Sequence, residues 1–485
     1  TRIDGTVHAC GNTCPHYGGP LGDGVLRDGR AVCPYHNATF NLTDGTLDRT
    51  PALDDLPVYE VREEDGSVFL GEKREPEIRV PHGTDGRHVL IVGAGAAGAA
   101  CAETLRREGF AGEITMLTAD PEGPYDRPML SKGFLSGEAP AKYLPLRPNS
   151  FYEALGIHCR VSAPVTSLDA RKREVTIANS ETRAADMVLL ATGGVPRRLD
   201  IPGAELENVF TLRSYTDAER IAAAAAEGGK AVILGGSFIG MEVAAQLAQR
   251  GLSVSVVEPQ PEPLDAVLGP DVGGWLRAVH EEQGVEFHLE QRPAEIIGDG
   301  RATAVQLQNG SRLEADLVVM GVGVEPRVDY LVGSGLVDGD AAHGVRVDAN
   351  LRTAASGIYA AGDIAVYPGP HEQEYRVEHW VHAQEQGRHV ARAMLGSDEP
   401  YRRVPFFWSR QYRTGIKYAG YPEAYDHIQF DGTPGDGEFA AGYFVGDRLV
   451  GVAAMGKAGK LTRVAEMLEE GRTLDREAFL GVPNE

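Results

Sequence analysis

Unbroken apolar runs, rather than alternating ones, set the rhythm of most of the chain. Residues 89–92, Val-Leu-Ile-Val, place four apolar side chains in a row, the pattern of a strand covered on both faces in a parallel sheet. Glycines stand at 93, 95 and 98, residues 99–107 suit a helix, and a second apolar run occupies 114–117. The same order returns later. An apolar run at 231–234 leads into a glycine turn over 235–240, then a helix that Gly251 ends after Arg250, then a strand at 253–257. Residues 188–191 and 359–361 are shorter apolar stretches ending in glycine turns, and 383–394 reads as a helix. The two ends differ. Short strand runs flank Asp4-Gly5, a hairpin signal, and strands are expected at 56–61 and 67–70. Strands at 439–445 and 449–454 precede a helix over 461–470. The pattern predicts an α/β protein with an all-β piece in front and an α+β piece behind.

The glycine spacing carries chemistry. In G-x-G-x-x-G after a strand, the first glycine permits a tight turn. The second lets a pyrophosphate approach the backbone, and the third lets the helix sit close to the strand. Gly93, Gly95 and Gly98 fill these places, with Ala97 among them, and the helix N-terminus offers N–H groups to phosphate. An acid about twenty residues on would hold a ribose; Asp120 lies 22 past Gly98. The second turn reads Gly235-Gly236-Ser237-Phe238-Ile239-Gly240. Ser237 replaces the middle glycine, and its Cβ and hydroxyl are expected to narrow the approach and weaken this site. Glu258 lies 18 past Gly240, where an acid takes the 2′-hydroxyl of NAD. Pro259-Gln260-Pro261 brings no cation for a 2′-phosphate, so NADH is expected over NADPH.

A length of 485 residues suggests about three domains. A net charge of −23 argues against nucleic acid as a partner, which needs a basic footprint. No apolar run approaches the length of a membrane span, and no secretory leader is visible. Five scattered cysteines make no disulfide scaffold, so a cytoplasmic protein is expected.

Two of those cysteines belong to a pattern. Cys14-Pro15-His16 is followed, after sixteen residues, by Cys33-Pro34-Tyr35-His36. Two Cys and two His also suit zinc, but zinc sites usually pair like with like, and here each loop carries one of each. The pattern resembles that of Rieske iron–sulfur domains, in which two thiolates hold one iron of a [2Fe–2S] cluster and two imidazoles hold the other. Each proline stiffens its loop by fixing φ, and Gly18-Gly19-Pro20 lets a loop fold over the cluster. Asn37-Ala38-Thr39-Phe40 and Thr43-Asp44-Gly45 extend the likeness. Tyr35 stands where many of that family have Trp. Gly19 and Tyr35 occupy the places of an extra disulfide in respiratory Rieske proteins, so the resemblance implies a soluble ferredoxin type. Cys10 lies outside the pattern and is expected to be a bystander. Only thirteen residues precede Cys14, so residues 1–71 are expected to form an N-terminally incomplete Rieske domain, with 72–86 as a linker.

Pro124-Tyr125-Asp126-Arg127-Pro128, continuing to Lys132, is similar to a signature of the ferredoxin reductases of aromatic-ring dioxygenases and of apoptosis-inducing factor. The resemblance implies that Arg127 meets the pyrophosphate of FAD and that Lys132 stands near flavin N5. Ala-Thr192-Gly193 looks like the motif joining flavin and nicotinamide domains. Gly362-Asp363 resembles a late FAD motif whose acid accepts from ribityl hydroxyls. By the same likeness Glu242 pairs with Lys132, Trp380 stacks near the isoalloxazine, and Gly323 joins the cofactor set. The implied fold is glutathione-reductase-like, with two Rossmann-like dinucleotide-binding domains. FAD-binding residues 87–204 and 322–396 enclose an NAD-binding domain at 205–321, and 397–485 form a C-terminal domain over the flavin. The resemblance also admits a homodimer.

Hydride transfer moves two electrons and a cluster takes one; flavin converts between them. Rieske centres lie at about −150 mV and upward, against about −400 mV for plant-type ferredoxins. Electrons are therefore expected to run from NADH through FAD to the cluster, then to an unidentified one-electron acceptor: a ferredoxin, an oxygenase or a cytochrome. The alternative is an NADH-sensing interaction protein of the apoptosis-inducing-factor type with slow turnover. A disulfide reductase is disfavoured, since no C-x-x-C follows Gly98 and Cys101 is expected to be buried.

Overall fold

The computed structural model describes residues 1–78, 85–226, 228–337, 343–370, 373–421 and 423–484. Its centre is a pair of five-stranded, all-parallel sheets. The first runs Ile157–Arg160, Glu113–Leu117, His88–Val92, Met187–Leu190, Ile358–Ala360. The second runs Val209–Thr211, Leu317–Met320, Lys230–Leu234, Ser253–Glu258, Glu286–Leu289. Continuous apolar strands are what such doubly covered sheets require: Val89, Leu90, Ile91, Ile233 and Val256 are fully buried. One strand of the first sheet arrives from beyond residue 350, so the second sheet is inserted within the first unit. The chain passes between them through a ribbon, Gly194–Pro196 paired with Val324–Pro326.

The helix Ala96–Arg107 packs across Trp380–Met394. A Cβ at Gly387 would fall 2.1 Å from the Ala97 carbonyl oxygen, so only glycine permits that crossing. Trp380 opens its helix three residues before the expected start at 383.

The C-terminal piece is a five-stranded antiparallel sheet, in the order Phe406–Gln411, Thr414–Gly420, Arg448–Met455, Phe439–Val445, His427–Gly432. The helix Ala458–Glu469 lies against it, starting three residues earlier than the pattern predicts. At the N-terminus, Arg2–Ile3 and Thr6–Val7 form the hairpin, with Asp4 and Gly5 at φ 47° and 81°. A four-stranded sheet (Val25–Arg27, Arg30–Val32, Thr39–Asn41, Leu47–Arg49) and a three-stranded one (Ala9–Cys10, Val58–Glu64, Ser67–Arg74) complete that domain. Two expectations are corrected here. Leu56 is a core residue before the strand, which begins only at Val58, after Pro57 with its missing N–H. The strand Ser67–Arg74 runs past 71, so 72–74 of the expected linker are strand. Residues 79–84 of that linker lie outside the described residues.

The N-terminal domain is seated on the rest of the chain by a band of ion pairs. Asp48 meets Arg403 at 2.9 Å, Arg49 meets Glu469 at 2.5 Å, and Asp54 meets Arg147 at 2.7 Å. Arg388 donates to the carbonyls of Leu47 and Asp48, and Glu385 accepts from the Thr50 N–H at 2.7 Å. Each exposed pair contributes little, about 0–1 kcal/mol; their number and part burial fix the orientation. Among the described residues, no helix is long and apolar enough to cross a membrane.

Candidate active site: a nucleotide cavity and a Cys2His2 pair

A cavity of about 1000 Å³ opens at the carboxyl ends of both parallel sheets, where ligands bind in open α/β sheets. In the first glycine turn, Gly93 has φ +111°, and a Cβ there would fall 2.1 Å from the Ala191 oxygen. A Cβ at Gly98 would fall 1.9 Å from the Gly93 oxygen, whereas at Gly95 it would meet nothing within 4 Å. The middle position is thus open space facing the cavity, the room a pyrophosphate needs. Ala97 lies beneath the Gly362 turn.

The second turn repeats the geometry. Gly235 has φ +103°, and a Cβ at Gly240 would fall 2.1 Å from the Gly235 oxygen. Ser237 caps the helix Phe238–Gln249: its Oγ accepts from the Gly240 N–H at 3.2 Å and donates to the Gly321 carbonyl at 2.7 Å. The hydroxyl is thus engaged by the fold. Glu258 is buried and accepts from the Gly236 N–H at 2.5 Å and the Gln260 N–H at 2.9 Å. Phe238 and Ile239 line the cavity from the first helical turn, and Gly323 and Trp380 line it too.

Acids and cations meet in pairs at its wall. Asp120 accepts from Arg127 at 3.1 Å and from the Tyr125 hydroxyl at 2.9 Å. Asp363 accepts from Arg213 at 2.5 Å, and the Arg213 carbonyl accepts from Arg127 at 2.9 Å. Gly362 donates its N–H to Gln386. Thr192 donates to the Arg327 carbonyl at 2.6 Å, and Gly193 turns at φ +70°. Lys132 Nζ stands 2.8 Å from Glu242 Oε2. Glu242 is 4% exposed and also accepts from Ser131 at 2.5 Å and Ser409 at 2.8 Å. This carboxylate has a donor on each oxygen and is almost fully buried, and both it and the cation beside it line the cavity.

At one end of the cavity stand the two Cys/His loops. His16 and His36 turn their Nδ1 atoms toward each other at 3.2 Å, and Cys14 and Cys33 are buried. Loss of hydration pushes His16 down to about 4 and His36 down to about 2, so both imidazoles are neutral, the form that ligates metal. The Cys14 and Cys33 thiols interact with each other, and that interaction together with burial holds the Cys14 thiol above its usual range while Cys33 is lowered. A Cβ at Gly19 would fall 2.7 Å from Cys33 Sγ, so glycine lets that loop close. Two nitrogens facing each other beside two sulfurs suit a pair of irons with two protein ligands each.

Trp408 links the two sites. It lines the cavity, and its ring centroid lies 4.5 Å from that of His36 and 6.1 Å from that of His16. Tyr17 donates to Asp126, and Lys417 donates to the Pro34 carbonyl at 2.6 Å, clamping both loops. Sequence reasoning singled out neither Trp408, Ser409 nor Arg213. Trp408 had one signal, as one of three tryptophans; Arg213 had none, its partner Asp363 lying 150 residues on. Cys101 is fully buried, and neither it nor Cys159 lines the cavity.

Three family models match: the pyridine nucleotide-disulphide oxidoreductase family over residues 87–387, the Rieske [2Fe-2S] domain over 1–60, and the reductase C-terminal domain over 406–481. Apoptosis-inducing factor 3 of Homo sapiens is 36% identical over 98% of this chain and 80% of its own length. The ferredoxin–NAD(+) reductase subunit of the benzene 1,2-dioxygenase system of Pseudomonas putida is 32% identical over 82% of this chain and 96% of its own. The covalent putidaredoxin reductase–putidaredoxin complex superposes with a TM-score of 0.77 at 29% identity, over 82% of this chain and 97% of that one. The chain belongs to the pyridine nucleotide-disulphide oxidoreductase family, as an FAD- and NAD-dependent flavoprotein that carries its own Rieske [2Fe–2S] domain.

Proposed function

We propose that this protein takes a hydride from NADH and delivers electrons singly, through its Rieske domain, to a separate acceptor of the ferredoxin or oxygenase class. One observation carries the reading: His36 of the Cys2His2 pair packs on Trp408, which lines the same cavity as the first glycine turn and Ser237, Phe238 and Ile239 of the second. Relatives named as ferredoxin reductases favour electron transfer over the sensing alternative. Bound flavin accepts two electrons together and releases them one at a time, and a bound cluster carries one.

The chain's own residues do the rest. Gly95 and the helix N-terminus at Ala97 and Gly98 would take the pyrophosphate of FAD. Asp120 would hold its ribose and Asp363 its ribityl chain, with Arg127 and Arg213 neutralising the acids. Lys132, held by Glu242, would supply a cation to the reduced flavin ring. Trp380 and Phe407, which line the cavity, exclude water from the reacting face. Glu258 takes the 2′-hydroxyl of NADH, and a 2′-phosphate there would face a buried carboxylate. A homodimer belongs to this reading and is tested by sedimentation.

An anaerobic NADH titration tests the whole. Flavin absorbance should bleach and the spin signal of a reduced Rieske cluster should rise in the same solution. Bleaching with no such signal would overturn the reading. Two substitutions probe its parts. Gly98→Ala forces a Cβ into a carbonyl contact of 1.9 Å, and chains so altered should purify with little bound FAD, measured as flavin per chain. Glu258→Ala removes a charged acceptor worth about 1.5–3 kcal/mol, so KM for NADH should rise roughly tenfold or more while that for NADPH rises less. Wild-type protein oxidising NADPH as well as NADH would refute the role of Glu258.

A further inference from the structure

We propose that Trp408, and not only the cavity-facing Trp380, is the aromatic bridge between the flavin face of the cavity and the histidine side of the cluster site. The proposal rests on the electron-transfer reading above. Three observations carry it. Trp408 lines the cavity together with Lys132, Glu242 and Trp380. Its ring packs on His36 at 4.5 Å, inclined by 47°, and meets His16 edge-on at 6.1 Å. The Trp380 ring has no contact with either histidine among the described residues.

The strand that carries Trp408 explains why it points there. Along Phe406–Gln411 successive side chains alternate between faces. Phe407 and Ser409 turn to the nicotinamide-side unit, where Phe407 packs on Phe238 at 4.7 Å and Ser409 donates to Glu242 at 2.8 Å. Trp408 between them turns the other way, onto the Rieske loops. One strand therefore fixes the Lys132–Glu242 pair with one residue and touches a cluster ligand with the next. Side chains on a strand hold their direction better than side chains on a loop. Lys417, on the neighbouring strand and opposite Trp408 in register, clamps the Cys33–His36 loop through the Pro34 carbonyl at 2.6 Å.

The reaction balances as NADH plus two oxidised one-electron acceptors giving NAD+, one proton and two reduced acceptors. Trp408 is neither oxidised nor reduced in this account; its π system supplies electronic coupling across a gap that aliphatic atoms or water would otherwise fill.

The test uses full-length protein with both cofactors, and compares wild type with Trp408→Phe, Trp408→Leu and Trp380→Phe. NADH is mixed rapidly, and flavin bleaching and cluster reduction are followed separately. Iron and flavin per chain, and the spin signal after dithionite reduction, report the sites without turnover. Small-angle scattering reports whether the Rieske domain stays seated. In Trp408→Leu, flavin bleaching should keep its rate while cluster reduction slows about tenfold or more, as small misplacements at a transfer path can do. Trp408→Phe should recover most of the loss. Iron content, spin signal and molecular dimensions should match wild type. Wild-type cluster reduction in Trp408→Leu would overturn the bridge, as would a slowing confined to Trp380→Phe. Slowing accompanied by an expanded molecule would make Trp408 a docking residue and overturn it too. If the wild-type cluster itself is never reduced by NADH, the failure lies with the proposed function instead.

Discussion

Replacing His36 by alanine is expected to abolish one-electron output while NADH still reduces the flavin. The two halves of the reaction lie in different parts of the chain, so they should separate cleanly. His36 does not line the nucleotide cavity, and its ring packs on Trp408, which does. Its removal leaves His16 Nδ1 facing a gap where an imidazole stood 3.2 Å away. Loss of a partner to a metal ligand already costs about 10–100-fold in metal affinity, and loss of the ligand itself should cost more. Iron per chain should fall well below wild type, the reduced-cluster spin signal should vanish, and reduction of a one-electron acceptor such as cytochrome c should drop by at least about 10²-fold. Flavin content and the rate of flavin bleaching by NADH should stay near wild type. A normal cluster signal in His36→Ala would sink the ligand assignment. Wild-type chains that purify with zinc and no iron would sink it sooner. His16→Ala should behave alike, because the two imidazoles share one iron in this reading.

What could be read before the fold was known follows the range of each interaction. The glycine turns are largely local: the clashes that demand glycine at 98 and 240 are with the first glycine of the same turn, whereas the one at 93 is with Ala191 at the end of a neighbouring strand. The two Cys/His loops are local as well, because each supplies one sulfur and one nitrogen from within four residues. The Lys132–Glu242 pair spans 110 residues and was accessible only through resemblance to a family. Arg213 with Asp363, Ser409 with Glu242, and Trp408 with His36 depend on how separate units pack, and no periodicity carries that information. Ser237 was expected to narrow the second turn; that its hydroxyl also binds the Gly321 carbonyl, 84 residues on, besides capping Gly240 was not legible. The boundary near residue 71 was misplaced: Glu72, Lys73 and Arg74 look like linker composition, yet an exposed strand tolerates charge on both faces.

Glu242→Ala should slow flavin reduction by about 10²-fold, a barrier increase of about 2.7 kcal/mol, while FAD remains bound. Glu242 Oε2 receives Lys132 and Ser131, and Oε1 receives Ser409. Truncation takes the carboxylate acceptor from all three donors and leaves Ser131 a 3.5 Å contact to the Pro128 carbonyl. Lys132 keeps only a 3.3 Å contact to the Pro128 carbonyl, and it sits at a break in the helical turn Leu130–Phe134, where backbone geometry alone does not hold its direction. Breaking a fully buried pair costs about 3–5 kcal/mol; here Lys132 retains 17% side-chain exposure, so part of that is recovered by solvent and the stability loss should be smaller. The cation drifts, and the charge it offers the reduced ring arrives in the wrong place. Glu242→Gln is the sharper variant. It keeps the shape and an acceptor oxygen but loses the charge that draws Lys132, so its defect should lie between wild type and alanine. In a cycle with Lys132→Met, the double variant should be little slower than either single one, because the two side chains act as a unit; coupling of about 1–3 kcal/mol is expected between contacting groups. Strict additivity would mean that Glu242 and Lys132 act separately, and wild-type bleaching in Glu242→Ala would remove the pair from the hydride step altogether.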